Sequence, residues 1–143
     1  MVFATQNDHK VQEAKGILGS DVEVTTPSAL GLAEDPEETG STFEANSLLK
    51  ARFVHERLGL DCFADDSGLE VDLLDGAPGV YSARYGGPAH DFEANIRKLL
   101  SEMALRSKEV ANPSPSARFR TVVTLIKDGQ VHTFEGTLEG RIT

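Results

Sequence analysis

The stretch that most restricts how this chain can fold is the apolar run Leu60 to Ala64, broken only by Asp61 and stopped by Asp65-Asp66-Ser67-Gly68. A short apolar run bounded by turn residues reads as a buried strand. Successive strand residues point to opposite faces, so at the strand end one aspartate can face a cleft while the other braces the turn. A carboxylate at the carboxyl end of a strand lies where α/β sheets usually place their ligands. Asp-Ser-Gly is equally the composition of a turn that merely ends a strand. These residues alone do not choose between the two.

The rest of the chain alternates strand and helix signals. Val2 to Ala4 reads as a short strand and Thr5 to Lys10 as a loop entering a helix. That helix has Val11, Ala14 and Leu18 at helical spacing, Asn7 or Asp8 as its cap and Gly19 as its stop. Its amino end, with Lys10 beside it, is either a natural anion site or a capped surface helix with an exposed lysine. Asp21 to Thr26 reads as a strand ended by Pro27.

Ser41-Thr42-Phe43-Glu44 has the form of a capping box. It opens a helix that runs to Leu58, with Leu48, Ala51, Val54 and Leu58 as the buried stripe. Asn46 and Lys50, four apart, share a different face. Leu69 and Val71 alternate with polar neighbours in an extended segment, and Asp75 to Gly79 is a turn. Val80 to Tyr85 combines tyrosines with Arg84, a composition that favours an interface; Arg84 pairing within the acidic site is the competing reading. Asp91 caps another helix, with Phe92, Ile96, Leu99, Leu100 and Met103 as its stripe. Ala117 to Ile126 is the strongest strand signal, and Lys127 to Gln130 turns it into Val131 to Leu138. Arg118 and Arg120 lie opposite Phe119 and read as a solvated or inter-lobe face. This alternation alone implies α/β or α+β.

Composition narrows the function classes. At 143 residues the chain is one domain by length, 1–143, and long enough to bury a core. A net charge of −9 argues against a nucleic-acid surface. It is compatible with a small polyanion if a divalent cation lies between carboxylates and phosphates. No apolar run approaches the roughly 18 residues that cross a bilayer, and the N-terminus lacks the basic flank of a signal peptide. The lone Cys62 reads as a small core residue. The expectation is a cytoplasmic protein with neither membrane nor nucleic-acid partners. The histidines show no zinc-ligand spacing, and P-loop and Rossmann fingerprints are absent.

Four motifs lie in order along the chain: A-T-Q-N-D-H-K from Ala4, E-E-T-G-S-T-F-E-A-N-S-L-L-K-A from Glu37, G-A-P-G-V-Y-S-A-R-Y from Gly76 and F-E-G-T-L-E-G-R-I-T from Phe134. Together they resemble the inosine-triphosphate pyrophosphatase family, whose members hydrolyse non-standard purine nucleoside triphosphates. The resemblance implies an α/β fold with a long twisted mixed sheet, flanking helices and two lobes around a central nucleotide cleft. It implies a homodimer and Mg²⁺ as cofactor. It gives the substrate segment as Thr5, Gln6, Asn7, Asp8, His9 and Lys10, with Ser67 hydrogen-bonding the nucleotide.

Lys50 would then reach the phosphates. Asp66 would bind Mg²⁺ and accept the proton of the attacking water, with Asp65 in support. A glutamate just before Gly40 would help hold the metal, which points to Glu37, with Glu38 as close second. Family members run on past Gly-Arg-Ile-Thr into a Gly-rich F-G-Y-D segment and a Ser-His-Arg motif that hold the base. Residues 1–143 are therefore expected to lack the base-reading part, and the first strand to be a few residues short. A non-catalytic nucleotide-binding module is the alternative. A Nudix-type hydrolase is disfavoured, because its G-x₅-E…R-E-x-x-E-E helix is absent.

Overall fold

Two residues, Val2 and Phe3, set up the core, because their side chains leave strand β1 (Val2–Phe3) on opposite faces. The computed structural model describes residues 1–143. Strand β2 (Cys62–Val71) lies parallel to β1, with Val2 opposite Cys62 and Phe3 opposite Phe63. Strands β3 (Ser116–Lys127) and β4 (Gln130–Arg141) complete a four-stranded sheet in the order β1-β2-β3-β4. β3 and β4 are neighbours joined by Asp128-Gly129, so they run antiparallel and the sheet is mixed. Both turn residues have positive φ, 51° and 74°, the conformation that two-residue hairpins demand and that Asp-Gly supplies. The α/β class with flanking helices expected from the sequence is what the chain adopts.

The chain divides into two units, one made of 1–66 with 122–134, the other of 67–121 with 135–143. In the first unit, helix α1 (Asp8–Leu18) and helix α2 (Phe43–Leu58) cover opposite faces of β1 and β2. Val2, Cys62 and Ala64 pack with Ala51 and Val54 of α2. Phe3 packs with Val11 of α1 and with Val24, and its ring stacks on Phe63 at 4.4 Å between centroids. Cys62 is buried, donates to the Ala51 carbonyl, and burial pushes its thiol up to about 11, as fits an inert core residue. The predicted strand Asp21 to Thr26 reduces to one bridge, Val2 to Thr25. With β1 only two residues long, there is little edge for it to pair with.

In the second unit, helix α3 (Phe92–Ser107) contributes Leu99 and Met103 to a cluster with Val71, Leu69 and Ala117. The predicted α3 stripe is too wide: Phe92, Ile96 and Leu100 are exposed. Arg118 and Arg120 are ion-paired across the strands, Arg118 to Glu70, Asp72 and Glu139, Arg120 to Glu70 and Glu135. The exposed residue of that stretch is Phe119, the reverse of the sequence expectation.

Helix ends follow local chemistry. Asn7 caps α1 and Asp91 caps α3, each accepting from two backbone N–H groups, and Gly19 and Gly59 end α1 and α2 with positive φ. The Ser41–Glu44 capping box does not form; Thr42 is the cap, accepting from Ala45 N. The buried face of α2 is also rotated from the predicted stripe. Ser47 and Asn46 are fully buried, and Leu48 instead lines an open groove with Pro36, Leu49 and Phe53. Polar partners explain the rotation, since Ser47 meets the buried Thr124 hydroxyl at 2.7 Å.

Candidate functional site

β1 stops pairing at Phe3, while β2 continues through Asp65 and Asp66 to Val71. The two aspartates therefore do not end a strand in a turn, as the sequence suggested. They follow directly after the point where the parallel neighbour leaves. Alternation then separates them. Asp65 shares the parity of Phe63 and turns toward α1, where Lys10 Nζ donates to its Oδ2 at 2.9 Å. Asp66 shares the parity of Cys62 and Ala64 and turns toward α2.

On that side Asn46 Nδ2 donates to Asp66 Oδ2 at 3.2 Å, and Lys50 Nζ stands 3.8 Å from Asp66 Oδ1. The same ammonium is 3.0 Å from Glu38 Oε1. Asp66 is 7 % exposed, and its carboxyl is pushed above the ordinary range, foremost by burial. Lys50 and the Asn46 hydrogen bond pull it down, while Glu38 and Asp65 push it up. Burial thus makes this carboxylate a stronger base than an exposed one, the direction that a proton acceptor needs.

Three carboxylates, Glu38, Asp65 and Asp66, thus face two ammonium groups, which leaves one negative charge in excess. Asp66 and Glu38 converge on a single cationic centre, the Lys50 ammonium, and supply hard oxygen donors, the chemistry that Mg²⁺ takes. No group of three or more His, Cys, Asp or Glu side chains could hold an ion by itself. A cation here would share its ligands with oxygens of a bound phosphate, the usual arrangement for Mg²⁺.

Asn7 is engaged in capping, its Oδ1 accepting from His9 N at 3.0 Å and Lys10 N at 3.3 Å, while Thr5 Oγ1 accepts from Asn7 N. Gln6, Asp8 and His9 are exposed around the amino end of α1. Ser67 is exposed and its hydroxyl meets Thr121 Oγ1 at 2.9 Å. Of the two glutamates before Gly40, Glu38 joins the cluster and Glu37 is exposed. Spacing to a glycine could not separate adjacent residues; the ion pair of Glu38 with Lys50 does. The sequence marks Asn46 only as a neighbour of Lys50; its place as Asp66's donor is hidden there because a buried amide leaves no periodic signal.

Fold and site define a class: an α/β protein whose parallel strand pair ends at acidic residues flanked by lysines, beside the amino end of a helix. The chain belongs to the Ham1 family, whose model matches residues 1–143. It is 50% identical over 142 residues to the dITP/XTP pyrophosphatase of Porphyromonas gingivalis, covering 99% of this chain and 71% of that protein. It is 44% identical over 147 residues to the enzyme of the same name from Bacillus licheniformis, covering 100% of this chain and 72% of that one. Among solved structures, the Staphylococcus aureus Ham1 protein superposes with a TM-score of 0.87 at 39% identity, covering 99% of this chain and 71% of that one. A HAM1 protein from Coxiella burnetii gives 0.88 at 34%, again covering 99% and 71%.

Proposed function

We propose that this chain hydrolyses non-canonical purine nucleoside triphosphates, of the dITP, ITP and XTP kind, to the monophosphate and pyrophosphate, with Mg²⁺ as cofactor. The observation that carries the reading is Asp66: a buried carboxylate of raised basicity, placed between a lysine and a second acidic group. The names of the curated relatives support the substrate class.

The chemical obstacle is bringing water to a phosphorus shielded by negative oxygens. Lys10 and Lys50 bring positive charge to those oxygens, and the amino end of α1 adds backbone dipole. Asp65 holds Lys10 in place through their ion pair. Asp66 takes the proton from the attacking water as its oxygen bonds to the α-phosphorus, and the bond to the β-phosphate oxygen breaks, releasing pyrophosphate. Asp66 and Glu38 are the residues that would hold Mg²⁺, which when bound screens phosphate charge and orients the leaving group. Ser67 is proposed to contact the nucleotide. A cytoplasmic homodimer is the proposed working form. The homodimer is supported by exposed Tyr81 with the Arg84 guanidinium 5.2 Å over its ring.

Hydrolysis of dITP in H₂¹⁸O tests the reaction. Label in the nucleoside monophosphate with unlabelled pyrophosphate is expected. Label in orthophosphate, or a nucleoside diphosphate product, would refute attack at the α-phosphorus.

A further inference from the structure

Asn46 is fully buried on α2 but belongs to none of the hydrophobic clusters. Both ends of its amide are engaged. Its Oδ1 accepts from Gly40 N at 2.8 Å, and its Nδ2 donates to Asp66 Oδ2 at 3.2 Å. These two bonds join the three pieces of chain that make up the carboxylate cluster: the loop carrying Glu38, the helix carrying Lys50 one turn further on, and the strand carrying Asp66. Accepting from an N–H while donating to a carboxylate at that reach is what a primary amide can do; a carboxylate in its place would have no proton to give.

Gly40 is matched to the same contact. A Cβ there would lie 2.6 Å from Asn46 Oδ1 and 2.8 Å from the Ala45 Cβ, closer than such atoms can stand. Only glycine lets the loop backbone approach the amide. A buried asparagine and an obligate glycine thus serve one junction, which ties Asp66 to the loop that carries Glu38 two residues before Gly40.

We propose that Asn46 is a positioning residue, holding the Gly40 loop and Asp66 in register so that Glu38 and Asp66 present their oxygens as one set to a divalent cation. This rests on the proposed reading of those carboxylates as metal donors. Ser47 supplies the matched comparison. It is the next residue of α2, equally buried, and its hydroxyl bonds Thr124 at 2.7 Å in place of the carboxylates.

The test uses the full chain, with Mn²⁺ as a paramagnetic probe titrated by electron spin resonance, alongside exchange of the Gly40 amide followed by NMR. Asn46→Ala and Gly40→Ala are each expected to weaken Mn²⁺ binding by about 10-fold or more, the usual loss when a residue supporting a metal ligand is removed. The double variant is expected to lose little beyond either single one, because both break the same junction. Asn46→Ala should also speed exchange at Gly40. Ser47→Ala should lower the melting temperature and leave Mn²⁺ affinity and Gly40 exchange at wild-type values. If Asn46→Ala fails to fold, Gly40→Ala carries the comparison. Asn46→Ala that melts earlier yet keeps wild-type Mn²⁺ affinity and Gly40 protection would overturn the proposal, leaving Asn46 a polar filler. If the wild type takes up no Mn²⁺, the metal reading falls. Gly40 exchange then decides on its own, faster exchange supporting the register role and unchanged exchange overturning it.

Discussion

Asp66 sits at a cost to the fold. Its carboxyl is raised above the ordinary value of 3.8, foremost by burial. The stability linked to its proton is therefore fully present below pH 3.8 and is lost as pH rises through the higher folded value. In metal-free buffer at pH 7, Asp66→Asn should melt higher than wild type, and the gap should close below pH 3.8. Melting curves at the two pH values check this, and an asparagine variant less stable at pH 7 would refute it. Lys50 behaves in the opposite sense. It lies off the stripe expected to be buried, yet its side chain is only 16% exposed and stands between Glu38 and Asp66. Lys50→Ala leaves those acids facing each other and should cost about 1–3 kcal/mol in urea unfolding without metal, between the values for exposed and buried pairs. Added Mg²⁺ should recover part of it, and an unchanged unfolding midpoint would count against the placement of Lys50.

At the scale of elements, what could be read from sequence was whatever depends on neighbours along the chain. Asn7 and Asp91 as caps, Gly19 and Gly59 as stops, and Asp128-Gly129 as the hairpin all follow from local backbone chemistry. What depends on distant partners was not readable. The α2 face is rotated because Ser47 and Asn46 find Thr124 and Asp66, and β2 outruns its expected end at Asp65 to reach Val71. The candidate site follows the same division: the roles expected of Asp66 and Lys50 came from motifs along the chain, while the pairing of Glu38, rather than Glu37, with Lys50 depends on the loop in three dimensions. The cap at α2 offers a clean check. Thr42→Ala should cost about 1 kcal/mol of stability, whereas Ser41→Ala should cost little, since Thr42 makes the capping bond. Equal losses in both would favour the capping box that the sequence suggested.

For the whole molecule, the uncovered strand is β4. All twelve of its residues are exposed, among them Val131, Phe134 and Leu138. Exposed apolar side chains on an edge strand invite association. Phe134→Lys with Leu138→Lys should lower the fraction of protein in larger species during sedimentation at high concentration, and no change would show that β4 takes no part in association. The proposed chemistry places the proton acceptor at Asp66, which is set among Asn46, Lys50 and Glu38. The most direct measurement is the rate of pyrophosphate release from dITP in Mg²⁺ by wild type and by Asp66→Asn. A fall of at least about 10²-fold is expected, the range for loss of a general base, in a variant that still folds. Release by Asp66→Asn at a near-wild-type rate would contradict the assignment of Asp66 as the proton acceptor.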